Sequence, residues 1–408
     1  MTSKSPMAGT LVRVEPASVG FDPVRLGRIR EALEREVAEE RIPGAVVGIA
    51  RRGQLAYLEG VGYRDKAANA PMWADAIFSI ASMTKPMTST AIMILHEEGR
   101  LLLGDPVSKF LPQLAGMKVA KSPTSEILET TPAEREMTVQ DLLRHTSGLT
   151  YRDRGPGAAY KAYPGSSITA AETYEREQFL TALAKAPLLY QPGTVWEYGF
   201  STDILGLIVE AVAGKPLGAF LRERLWEPLG MSDTAFALDD AGKPRYARAL
   251  PNDPLTGLPQ SIHHATGIPM KWESGGGGAI STVADYLRFA QMLLNGGTLG
   301  SRRILGRKTV ELMRADHLGS GIVNRITTMD PSCTGYGFGL GFAVRKEAGV
   351  AAMLGSAGDY YWSGVYGTYF WIDPAEQMVT VFMAAAPGQM RLRYRQLARA
   401  LVYQAIVD

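Results

Sequence analysis

Cysteine is almost missing: Cys333 is the only one in 408 residues. No internal disulfide can form, which suits a reducing compartment such as the cytoplasm. Histidine is scarce too. His96, His145, His263, His264 and His317 are all there are, and none forms H-x-x-x-H or H-E-x-x-H. A zinc centre is therefore not expected. No stretch approaches about 18 apolar residues, so no membrane-spanning helix is expected. The first twenty residues lack the apolar core of an export signal, so a cytoplasmic location is expected. A surplus of one charge is also lacking. Lys plus Arg number 43 against 41 Asp plus Glu, and no basic run stands out, so nucleic acid is not an expected partner. There is no G-x-S-x-G, hence no nucleophile elbow. The glycines at 275–278 are not followed by Lys-Ser/Thr and make no P-loop. Close backbone approach beside a cleft is their expected use.

What remains is an ordinary globular composition, 46% hydrophobic and 21% charged, with ample chain to bury a core. The order of patterns is informative. Residues 22–41 show helical spacing, with apolar runs at 45–50 and 55–62 reading as strands. The middle is mostly helical, with helices expected at 201–214, 217–226, 282–295 and 307–314 and a long loop at 151–170. Beyond residue 330, strands are expected at 336–345, 351–354, 363–372 and 378–385, then a closing helix at 389–406. Strands at both ends imply one sheet completed by both chain segments. The expected organisation is a discontinuous α/β sheet domain, 1–100 and 330–408, and a mostly helical domain, 101–329. The helix beginning at Ser82 lies at their interface.

That helix carries the chemistry. In FSIASMTKPMTSTAIMILHEEG, residues 78–99, Pro86 suits a helix start and Gly99 a stop. Ser82 and Lys85 are three residues apart and share one helix face. A serine hydroxyl is a weak nucleophile until a base takes its proton. A lysine one turn on can be that base, or tune one, and the helix N-terminus offers free N–H groups where an oxyanion develops. S-x-x-K alone is a weak signal; an exposed Ser and Lys would match it equally.

The surrounding sequence is more specific. SMTK at 82–85, DLLRHTSGLTY, YGFSTDILGLIVEAVAGKPL and GGGGAISTVADYLRFAQMLLNGG occur in order. Together they resemble the class C β-lactamase-like esterases, or family VIII carboxylesterases, from about residue 22 to residue 405. The resemblance implies the β-lactamase and penicillin-binding-protein fold: an antiparallel sheet flanked by helices, packed on a helical domain. It implies that Tyr198, in Tyr198-Gly199-Phe200, works with Lys85 to carry the Ser82 proton. Trp362-Ser363-Gly364 matches the strand motif that lines the site, and the backbone N–H groups of Ser82 and Val365 are implied to form the oxyanion hole.

The same comparison narrows the substrate. Phe200 replaces the asparagine, and Trp362 the lysine, of true β-lactamases. Both departures favour neutral carboxylic esters, short-chain or aryl, over a β-lactam or D-amino-acid peptide. Acyl transfer to an alcohol or amine is the nearest alternative, and a non-enzymatic scaffold the most distant. Trp362, Ser363, Gly364, Tyr151 and Phe200 are the expected substrate contacts. Tyr160, Trp272, Tyr360 and Tyr361 are further aromatics on stretches read as loops. His145 reads as a loop histidine hydrogen-bonded near a helix end, and Asp203 as a stabiliser of its helix start. No metal or organic cofactor is implied. A small-molecule ester is the only partner expected.

Overall fold

Strand β1 (Gly44–Arg51) is apolar at every position but its last, and all eight residues are buried. A strand hidden on both faces needs cover on both. On one face Val47 and Phe382 share an apolar gap with Ile29 and Leu33 of helix α1 (Pro23–Ala38). Tyr394 and Ala398 close that gap from the last helix of the chain. On the other face Gly48 meets Val283 and Leu287; a Cβ there would come within 2.6 Å of Val283 Cγ1. Alternation along one strand thus separates two helical layers.

This computed structural model describes residues 11–408. The first ten, part of the stretch read as lacking an export signal, lie outside the described residues. The main sheet has eight strands. After β1 come β2 (Gln54–Asp65), β3 (Ala70–Pro71), β4 (Tyr336–Phe338), β5 (Ala343–Arg345), β6 (Tyr360–Ser363), β7 (Thr368–Asp373) and β8 (Met378–Ala384). Their spatial order is β4-β5-β6-β7-β8-β1-β2-β3, and every neighbouring pair is antiparallel. The expected antiparallel sheet flanked by helices is present, and chain from both ends completes it. The central seam runs from Ala45 opposite Ala384 to Arg51 opposite Met378.

Four more helices matter below: α2 (Thr84–Glu97), α3 (Ser201–Ala213), α4 (Val283–Leu294) and α5 (Met390–Tyr403). α2 is buried continuously from Thr84 to Leu95 and packs against α3, while α4 packs on β8 and β1. Local chemistry sets their ends. Asp22 caps α1 by accepting from the Val24 and Arg25 N–H groups, and Thr282 caps α4 by accepting from the Asp285 N–H. Gly214 ends α3 at φ +69°, a left-handed conformation that glycine adopts without steric cost. No single helix among the described residues is long and apolar enough to cross a membrane.

Several expected elements differ. The strand expected at 363–372 is a hairpin: β6 ends at Ser363 and β7 begins at Thr368. Gly367 turns the chain at φ +100°. Residues 351–354 form no strand. The loop expected at 151–170 holds short helices, Ala158–Lys161 and the start of Ser167–Thr173. A two-residue pairing of Phe78–Ser79 with Ile280–Ser281 went unseen in the pattern. It matters because, with Ile80 N–H donating to Ala279 O, it holds the glycine run beside the Ser82 segment.

Candidate active site

Ser82 lies in a 3-10 turn, Ala81–Met83, that runs directly into α2. Ala81, immediately before it, has φ +44°. A left-handed alanine costs roughly 1 kcal/mol or more, so the turn presenting Ser82 is held under strain by its surroundings. Lys85 is 1% exposed, and its Nζ lies 3.2 Å from Ser82 Oγ. The Tyr198 hydroxyl reaches the same oxygen at 2.7 Å. Lys85 Nζ also sits 4.6 Å above the centre of the Tyr198 ring. Serine, lysine and tyrosine, drawn from two places 113 or more residues apart in sequence, thus form one hydrogen-bonded group.

Lys85 is anchored from behind. Its Nζ donates to Gly276 O at 2.6 Å and reaches Tyr151 OH at 3.4 Å. Tyr151 OH contacts Ser167 Oγ at 2.6 Å, and Ser167 Oγ donates to Asp203 Oδ2 at 2.6 Å. Asp203 further accepts from Ser274 Oγ at 2.6 Å and from the Gly276 N–H at 3.1 Å. Asp203 therefore does more than stabilise the α3 terminus. It ties α3, the glycine run and Ser167 into one buried network beside Lys85. Burial pushes its carboxyl above the usual range, while the Lys85 charge and these hydrogen bonds pull it back. Burial also pushes the Tyr151 phenol well up, reinforced by the Asp203 charge. The glycines are close-packed as expected: a Cβ on Gly276 would lie 2.4 Å from Asp203 Oδ2. Ser167, and the contact of Gly276 O with Lys85, were not identified from sequence, because residues joined only across three segments leave no spacing to read.

His145 differs from its expected role. It is 1% exposed, and its Nδ1 has no hydrogen-bond partner. Its ring packs 5.0 Å from that of Tyr198. Burial, with the Lys85 charge nearby, pulls its pKa well below the ordinary value, so it is a neutral packing partner at pH 7.

Ser82 and Tyr198 open onto a cleft of about 290 Å³, which Tyr151, Ser363 and Val365 also line. Neither the Ser82 N–H nor the Val365 N–H donates to another protein group among the described residues. Three other expected contacts do not reach the cleft. Phe200 is fully buried, edge-on to Tyr151 at 4.9 Å and against Phe179 at 5.1 Å. Trp362 is 1% exposed and packs on Tyr198 and Phe338. It supports the tyrosine ring from behind. Gly364 is pressed against protein, not substrate: a Cβ would lie 2.3 Å from Ile80 O and 2.2 Å from Thr368 Oγ1. Its smallness lets the β6–β7 turn dock beside the Ser82 segment, where Thr368 Oγ1 donates to Ile80 O at 3.0 Å. Of the further aromatics, Tyr360 and Tyr361 are core residues of β6, Tyr160 is buried, and Trp272 stacks on Phe179 at 4.8 Å. Arg154, Arg391 and Arg395, unmarked in the sequence, line the cleft instead.

Comparison with known proteins gives the family. The Beta-lactamase family description matches residues 29–404. An uncharacterized protein of Mycobacterium tuberculosis is 35% identical over 86% of this chain and 88% of its own length. Esterase EstB of Burkholderia gladioli is 30% identical over 90% of this chain and 92% of its own. The solved structure of EstCE1, described as a hydrolase with promiscuous acyltransferase activity, superposes with a TM-score of 0.75 at 29% identity, covering 93% of this chain and 99% of that one. The chain therefore belongs to the beta-lactamase family, among its esterase-like serine hydrolases.

Proposed function

We propose that the protein cleaves carboxylic esters of small molecules through an acyl-Ser82 intermediate. The observation that carries this reading is the contact of Ser82 Oγ with both Tyr198 OH, at 2.7 Å, and Lys85 Nζ, at 3.2 Å, at the mouth of the cleft. In this reading Ser82 Oγ attacks the ester carbonyl, and its proton passes to the Tyr198–Lys85 pair. Lys85, held by Gly276 O, keeps its Nζ 4.6 Å above the centre of the Tyr198 ring, beside the phenol that takes the proton. The tetrahedral oxyanion takes the two unengaged N–H groups of Ser82 and Val365. The C–O bond to the alcohol breaks, and Tyr198 returns the proton to the leaving oxygen. Water, activated by the same pair, then releases the acid and restores Ser82.

The printed activities of EstB and EstCE1 support ester chemistry, and that of EstCE1 supports acyl transfer as a second outcome, with an alcohol or amine replacing water. The division into a sheet domain, 1–100 with 330–408, and a helical domain, 101–329, belongs to the same proposal, with α4 lent by the second to cover the sheet. So does a cytoplasmic location, supported by the single buried, unpaired Cys333.

The test is intact mass after treatment with a fluorophosphonate or a short 4-nitrophenyl ester. One adduct is expected, absent in Ser82→Ala. A folded protein that takes no label overturns the reading. Adding an alcohol acceptor during turnover separates transfer from hydrolysis by product analysis.

A further inference from the structure

Trp362 stands where a lysine would hold a substrate carboxylate, and from that alone a neutral ester is expected. The cleft nevertheless carries positive charge from another element. Helix α5 opens with Arg391, Arg393 and Arg395, and no acidic residue lies in its first turn. Cations there oppose the helix dipole, so the arrangement calls for a compensating anion. Arg393 has one in Glu36 at 3.2 Å, and Arg395 in Asp330 at 2.5 Å. Arg391 has none: one of its terminal nitrogens, Nη1, donates to Pro387 O at 3.1 Å and Gly388 O at 2.9 Å, and it forms no ion pair among the described residues.

The rest of the Arg391 guanidinium is unengaged by protein and borders the same cleft as Ser82. Arg395, 6% exposed on that wall, leaves its buried Nε without a partner. Desolvation, with the Arg395 charge nearby, pulls Arg391 down to about 10, against the pull of Asp330 and Asp253; it remains a cation at neutral pH. Among the cleft's other charges, Arg154 faces Glu197 at 4.0 Å. Asp153 also lines the cleft, on an exposed turn between Arg152 and Arg154, and forms no ion pair among the described residues. Of the three arginines lining the cleft, Arg391 is the one with no carboxylate within 4.0 Å among the described residues.

Resting on the ester-hydrolase reading of Ser82, we propose that the substrate is a small ester bearing a carboxylate, which Arg391 binds at the α5 wall of the cleft. A guanidinium edge matches a carboxylate with two parallel hydrogen bonds. The carboxylate can belong to the acyl part or to the alcohol part; the chemistry of recognition is the same. The positive charge lost at position 362 of the strand is supplied from the helix.

The test uses two matched pairs of esters: the 4-nitrophenyl monoester of glutarate against 4-nitrophenyl pentanoate, and 4-carboxyphenyl acetate against 4-methylphenyl acetate. The readout is the ratio of kcat/KM, charged over neutral, compared between wild type and variants. In at least one pair, Arg391→Gln should lower that ratio about 10–100-fold, and Arg391→Lys should fall between. The pair that responds identifies the acyl or alcohol side. In wild type, where folding is not in question, free glutarate should inhibit pentanoate hydrolysis competitively and 1,5-pentanediol should not. Ratios within about twofold of wild type in both pairs, with no inhibition by glutarate, overturn the assignment while Ser82 still takes its label. Failure of Ser82 to label at all overturns the ester reading instead.

Discussion

In the proposed mechanism the chemistry turns on Tyr198, which contacts Ser82 Oγ more closely than Lys85 does, 2.7 against 3.2 Å. Lys85 gives three of its contacts to other atoms: Gly276 O, Tyr151 OH and the Tyr198 ring. Such a lysine is better placed to position Tyr198 and Ser82 than to shuttle the proton itself. Tyr198→Phe should therefore lower kcat for ester cleavage by at least about 10²-fold with the fold intact. Steady-state kinetics check this, and near-normal turnover would make Lys85 the base alone. Ser82, Lys85 and Tyr198 were readable because each sits in a local motif. The network that joins Asp203, Ser167 and Gly276 was not, because it is made only through space. Arg391 was hidden for a different reason: on a helix rich in arginine it looks like solvated surface.

At the level of elements, α3, α4 and α5 lie within the helices expected from apolar spacing and end signals. The β6–β7 hairpin was misread as one strand because its residues are mostly apolar or aromatic and only Gly364 and Gly367 mark the turn. Aromatics in that run were taken for pocket walls, whereas a strand buried on both faces turns them into core. The short helix His263–Thr266 brings a pH dependence. His264 Nδ1 meets Ser79 Oγ at 2.7 Å, just upstream of Ser82, and burial lowers its pKa from 6.5 to about 4. A depressed base stabilises the fold above its unfolded value near 6.5, and that stability is lost as pH falls through 4. The loss is at most about 3 kcal/mol. Denaturant midpoints should show the advantage of wild type over His264→Gln shrinking between pH 7 and pH 4.5. An unchanged advantage would sink the idea.

Across the whole molecule, one buried carboxylate joins the sheet edge to the last helix. Asp359 accepts from Arg345 Nε at 2.7 Å, from Arg399 Nη1 and Nη2 at 3.0 and 3.1 Å, and from Tyr336 OH at 3.0 Å. All four side chains are at most 2% exposed. Asp359→Asn leaves two buried guanidinium groups without a counter-charge, so it should cost about 3–5 kcal/mol of stability. Chemical denaturation measures this, and a loss below about 1 kcal/mol would mean that water or rearrangement replaces the carboxylate. The consequence reaches the site, since α5, which Asp359 secures through Arg399, carries Arg391.

The shortest contact fastening Lys85 is with the carbonyl of Gly276, at 2.6 Å, a backbone group. A carbonyl survives any substitution at its own position, provided the backbone stays put. Only size threatens it, since any side chain at 276 would run into Asp203 and Ser167. The lining of the cleft can therefore drift freely from one ester to another while the lysine keeps its place. Laboratory evolution of this protein should accordingly collect specificity changes on the α5 wall and in the turn carrying Val365, and few in the glycine run.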